Sequence, residues 1–90
     1  MQDQTFTIYK EEYVTLNGSI SGGCLELESH VYGDDDFSSE KRYSFSKTES
    51  DKLFQILSLE EFVELCRKER LMGMEAFLEE HGITYKSYTW

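Results

Sequence analysis

Apolar residues change their spacing at Ser46, and nothing else in the chain limits its fold so strongly. Upstream, apolar and polar side chains alternate with the period of a strand. Downstream they recur every three to four residues, the period of a helix. "TFTIYKE" sets Phe6 and Ile8 against Thr5, Thr7 and Tyr9. "YVTLNGSIS" holds Asn17-Gly18 between two strand-like runs, and this pair readily supplies the positive φ angles of a tight hairpin. "CLELESHVY" puts Leu25, Leu27 and Val31 on one face and Glu26, Glu28 and His30 on the other. Gly22-Gly23 before it predicts a turn or bulge. "KRYSFS" gives a fourth short strand, with Tyr43 and Phe45 on one side.

Two capping boxes then mark helix starts. In Ser46-Lys47-Thr48-Glu49 and in Ser58-Leu59-Glu60-Glu61, the serine hydroxyl and the glutamate carboxylate satisfy backbone N–H groups that a first turn leaves without partners. The first helix carries Leu53, Phe54, Ile56 and Leu57, and the second the stripe Leu59, Phe62, Val63, Leu65 and Cys66. Leu71, Met74, Phe77 and Leu78 make a third stripe, and Gly82 sits where a helix should stop. "ITYKSYTW" reads as a closing strand, with Ile83 and Tyr85 on one face and Tyr88 and Trp90 on the other. The predicted order is ββββαααβ in a single compact domain, residues 1–90. This is an α+β fold: an antiparallel sheet of four to five short strands with three helices on one face.

Eighteen acidic residues against nine basic ones give a net charge of −9. With 39% hydrophobic and 14% aromatic residues the chain is too apolar to be disordered at that charge. Affinity for phosphates comes mainly from Lys and Arg, so the balance argues against direct nucleic-acid binding and against an anionic membrane. It favours a basic protein partner. Cys24 and Cys66 are the only cysteines, far apart, and are expected as free thiols. The opening "MQDQTFTIYK" lacks a basic start followed by an apolar run, and no stretch approaches the roughly 20 apolar residues of a membrane span. A soluble cytoplasmic protein is the expectation.

Candidate chemical sites fail on spacing. An EF-hand loop beginning at Asp34 would take Asp36 and Ser38 as further ligands. It would then need glycine and glutamate where the chain has Ser39 and Phe45. "GDDDFSSE" is therefore read first as a turn and second as an acidic contact surface. His30 and His81 lack the spacing of zinc ligands. Cys24 and His30 stand roughly 20 Å apart on a straight strand, too far for a dyad. No phosphate-binding glycine loop occurs. No catalytic residue, metal or cofactor is predicted.

The carboxylates carry what signal there is. Glu60 and Glu61 suit a helix N-terminus, and Glu64 can pair with Lys68. Glu79 and Glu80 fall in a last helical turn, where the dipole disfavours them by roughly 0.3–1 kcal/mol each. A local rule broken in this way can mark a functional surface; the competing reading is that solubility alone keeps the pair. The expected function is that of a small acidic interaction protein, non-enzymatic, that binds and blocks a basic surface on a nucleic-acid-handling protein or toxin. Its candidate contacts are Asp34, Asp35, Asp36, Glu60, Glu61, Glu64, Glu79 and Glu80. In shape and charge the chain resembles small antirestriction and anti-CRISPR proteins, or immunity proteins that neutralise nuclease toxins. That resemblance is of type, without a shared motif. The alternatives are a ligand-binding domain or enzyme with a pocket between helices and sheet, and a homo-oligomeric module joined through an edge strand and the C-terminal aromatics Tyr88 and Trp90.

Overall fold

The computed structural model describes residues 2–32 and 38–89. Strands β1 (Gln4–Lys10), β2 (Val14–Ser21), β3 (Cys24–Tyr32) and β4 (Ser38–Ser44) precede helices α1 (Lys47–Ile56) and α2 (Leu59–Glu80), and β5 (Lys86–Thr89) closes the chain. The sheet is antiparallel throughout, in the order β1-β2-β3-β4-β5, so β5 returns to the open edge beside β4. The architecture is α+β, with a five-stranded sheet and two helices. Among the described residues no helix is long and apolar enough to cross a membrane.

Three expectations need correction. Asn17 and Gly18 form no hairpin; they lie inside β2, paired with Glu28 and Leu27 of β3. The turn is made by Gly22 and Gly23, whose φ angles of 59° and 79° glycine adopts without steric cost. Gly18 instead passes beneath the ring of Phe6, its cross-strand partner, in a space that a Cβ would fill. In β1 the pairing slips between Thr7 and Tyr9, a bulge that adds one residue to the strand. Thr7 pairs with Asn17 and Tyr9 with Leu16, so Tyr9 faces the helices with Ile8 instead of opposing it. Finally, three separate helices are not confirmed: the order is ββββααβ, and the predicted second and third helices adjoin in one 22-residue span, two helical runs that meet at a kink. Nothing between the two apolar stripes is a strong helix breaker. Only Arg70 leaves helical geometry, with φ 63° and ψ −169°. That region belongs almost solely to glycine and costs about 1–3 kcal/mol. The Arg70 guanidinium lies 4.5 Å from the centre of the Tyr9 ring and pairs with Glu11, contacts that offset part of the strain.

The core forms where alternation and helical spacing meet. Leu16, Ile20, Leu25, Leu27, Tyr43 and Phe45 project from one face of the sheet, and Leu53, Phe62, Cys66, Met74 and Leu78 from the helices close over them. Polar ties fix the two layers. Ser50, wholly buried on α1, accepts a 2.9 Å hydrogen bond from the Leu25 N–H. Arg67 Nε donates at 2.6 Å to the carbonyl of Ile8, the residue at the bulge. Both helices begin at the predicted serines, but only the second forms the full capping box; the Glu49 carboxylate turns to Lys52 and the Thr84 N–H instead. The Ser46 hydroxyl accepts from Glu49 N–H at 3.2 Å, and Ser58 and Glu61 complete a reciprocal capping box. The far end of α2 closes on Gly82 (φ 68°): Gly82 N–H donates to the Glu79 carbonyl and Ile83 N–H to the Leu78 carbonyl. This is a Schellman arrangement, with Ile83 and Leu78 both in the core.

The buried Ser50 contact supplies a stability test. Ser50→Ala removes the acceptor and leaves the Leu25 N–H unsatisfied, so chemical denaturation should show a loss of about 1–3 kcal/mol. An unchanged midpoint would mean that α1 does not seat on β3 in this way.

Candidate interaction surface

Helix α2 distributes charge in blocks. Its first two turns carry Glu60, Glu61 and Glu64; Arg67, Lys68, Glu69 and Arg70 follow; Glu75, Glu79 and Glu80 end it. Glu61 is partly committed to the cap, its Oε1 accepting from Ser58 N–H at 3.0 Å. Glu64 pairs with Arg67 Nη1 at 2.9 Å, not with Lys68 as the spacing predicts, because Arg67 already leans across α2 towards β1. Glu60 and Glu79 lie on opposite sides of the break at Arg70, so the predicted helical carboxylates fall into two groups, with Arg67, Lys68 and Arg70 between them in the chain. Asp34, Asp35 and Asp36 lie outside the described residues.

The uncovered face of the sheet gathers charges that sequence reading left unassigned. Glu28 sits opposite Arg42, and His30 opposite Glu40. Arg42 bridges two residues of β3, with Nε 3.1 Å from Glu26 and Nη2 2.5 Å from Glu28. The His30 ring lies between carboxylates, 3.2 Å from Glu40 and 3.6 Å from Glu28. Tyr88 of β5 stands across from Arg42 and is half exposed. Alternation put Glu26, Glu28 and His30 on one face, but Arg42 joins them only through the β3–β4 register.

A cleft opens on the helical side, between the second half of α2 and the segment leading into β5. Its volume is about 560 Å³. Ala76, Ile83 and Tyr85 form an apolar floor, with Met72, Glu75 and Glu79 along the helix side. Tyr85 packs on Tyr43 and Phe45, with ring centres 5.4 and 5.6 Å away. Glu75 is held in place: its Oε1 accepts from the Tyr43 hydroxyl at 2.5 Å and lies 3.4 Å from Lys41 Nζ. Burial first, and then the hydrogen bond to Glu75, push the Tyr43 phenol far above its ordinary value, so it stays a donor. Burial, helped by the charges of Glu75 and Glu79, likewise raises Tyr85. Glu79 has no ion-pair partner among the described residues, while Met72 is 85% exposed. Glu75 and Met72 escaped sequence reading. The one signal available was the i,i+4 spacing of Glu75 and Glu79 on the turn that ends at Gly82.

The remaining reactive groups have local explanations. His81 caps α2, its Nδ1 2.9 Å from the Phe77 carbonyl and its ring tilted against that of Phe77, centres 4.2 Å apart. Glu49 accepts from Lys52 and, at 3.2 Å, from the Thr84 N–H. These two contacts, Lys52 first, hold its carboxyl below the usual range. Among the described residues no three His, Cys, Asp or Glu side chains are grouped to hold a metal ion. In comparisons with protein families, curated proteins and solved structures, nothing matches the chain.

Both cysteines are free, Cys24 partly exposed and Cys66 buried in the core. Burial pushes the Cys66 thiol from 9.0 up to about 12. The folded state thus holds this proton more tightly than the unfolded chain does. Its contribution to stability is complete below the ordinary thiol value and is lost as pH rises towards about 12. Native protein at neutral pH should release colour from a thiol-reactive disulfide through Cys24 alone, with Cys66 reacting only on denaturation. Rapid modification of both in the native state would contradict the burial of Cys66.

Proposed function

We propose that this chain is a non-enzymatic acidic interaction domain that binds a basic protein surface and blocks it. Surfaces used for nucleic-acid handling, or by a toxin, are the targets that such chemistry suits. One observation supports the reading above the others: the domain's own cations are largely engaged. Of its nine Lys and Arg residues, Lys41, Arg42, Lys47, Lys52, Arg67 and Arg70 form ion pairs with carboxylates of the same chain. Carboxylates remain over at both ends of α2, where Glu60, Glu79 and Glu80 are exposed and have no ion-pair partner among the described residues. Surplus charge of one sign, displayed on a folded surface, raises association rates with the opposite sign and disfavours wrong partners.

The test is capture from a cell extract with immobilised wild-type protein beside a Glu60→Lys/Glu79→Lys/Glu80→Lys variant. A basic protein retained by the wild type should elute between about 0.1 M and about 0.5 M NaCl, as screening shortens the reach of the carboxylates. The variant should fail to retain it while keeping its circular dichroism spectrum. Equal retention by both, or capture that persists in about 1 M salt, would remove the proposal.

Self-association is a second reading, favoured by the unpaired outer edge of β5, whose four residues are all exposed. An open edge is a template for another strand. Sedimentation should then show a dimer that Tyr88→Lys disperses; a strict monomer at high concentration would dispose of this reading.

A further inference from the structure

We propose that the cleft between the second half of α2 and the 82–85 segment docks a short stretch of a basic protein partner, an apolar side chain entering between Met72 and Tyr85 and a flanking Lys or Arg reaching Glu79. The inference rests on the acidic-partner reading and gives it a location. Three features point here; the first is shared with the groove of about 450 Å³ at the other end of α2, and the second separates the two, because Arg67 lines that groove.

First, shape and polarity coincide. The cleft, about 560 Å³, is within the roughly 300–1,000 Å³ span of ligand sites, and its floor of Ala76, Ile83 and Tyr85 is apolar. Met72 stands at its edge almost fully exposed, the most exposed large hydrophobic side chain among the described residues. Unbranched and polarizable, methionine adapts to an incoming apolar group.

Second, charge is one-sided. The lining includes Glu75 and Glu79 and no Lys or Arg. Lys41 reaches Glu75 from β4, which leaves Glu79 as the rim carboxylate without a counter-ion among the described residues. The last turn of α2 holds no basic residue, so the negative end of the helix dipole adds to Glu79 and Glu80. A cation docked at Glu79 relieves a conflict that the fold itself leaves standing.

Third, the walls are set before binding. Glu75 is fixed by Tyr43 and Lys41, Tyr85 by the Tyr43 and Phe45 rings, and the backbone at Gly82 and Ile83 by its bonds to the end of α2. A site already in its bound shape loses little freedom on binding.

The probe is a synthetic heptapeptide with one leucine between paired lysines, titrated into ¹⁵N-labelled protein at low salt. Amide shifts should cluster over residues 72–85. Met72→Ser and Glu79→Lys, both at exposed positions, should each weaken binding about tenfold or more, as should leucine-to-serine in the peptide. If the peptide binds but the shifts map to Glu60–Glu64 or the sheet face, the cleft proposal is overturned and the acidic-partner reading stands. If neither this peptide nor any basic protein binds, both fall. Shifts over 72–85 that appear with protein concentration alone would identify a second copy as the occupant, and would also overturn the proposal.

Discussion

The register in which β2 pairs with β3 governs the rest of the structure. Eight consecutive pairs, from Val14 with Val31 to Ser21 with Cys24, follow from the turn at Gly22 and Gly23. This register sends Leu16, Gly18, Ile20, Leu25 and Leu27 towards the helices and the glutamates of β3 to the other face. A slip of one residue would exchange the two sets. The helices could not then close, since Ser50 meets Leu25 N–H and Phe45 N–H meets the Leu25 carbonyl in this register alone. The open face depends on the same alignment, carried one strand further, because it is the pairing of Glu28 with Arg42 that lets one guanidinium bridge two carboxylates.

Local signals were legible and distant ones were not. Both helix starts could be read because a serine cap and the N–H it accepts from lie within four residues, and Gly82 could be read as a stop because positive φ suits glycine. Asn17-Gly18 misled because two turn candidates lie within six residues, and the choice between them was made by β1. The Phe6 ring covers Gly18 and keeps it in the sheet. The two apolar stripes were legible as two helical runs, but their joining without a loop was not. The chain makes the join at a single residue, Arg70, whose contacts with Tyr9 and Glu11 come from the other end of the sequence. The closing strand was legible as an element, but its place at the edge beside β4 was not.

The same division explains what could be read of the candidate surface. Composition reveals that carboxylates outnumber cations two to one, and nothing about which of them stay unpaired. Pairing is a tertiary outcome. Glu61 turns back to its own cap, Glu64 to Arg67 and Glu75 to Tyr43 and Lys41, whereas Glu79 stays open although it lies one turn from Glu75. Glu79 and Glu80 could be singled out beforehand because they oppose the helix dipole, a local conflict visible in any sequence. Met72 and the cleft needed the fold, since the floor comes from residues on both sides of the Gly82 turn.

The account treats leftover negative charge as the means by which this domain finds its partner. The most direct measurement is the association rate constant with the captured partner as ionic strength rises, for wild type and for Glu79→Gln/Glu80→Gln. Long-range attraction predicts a steep fall in the wild-type rate and a shallower one in the neutralised variant, with the two converging at high salt. Rates that are independent of salt, or identical slopes for the two proteins, would contradict it.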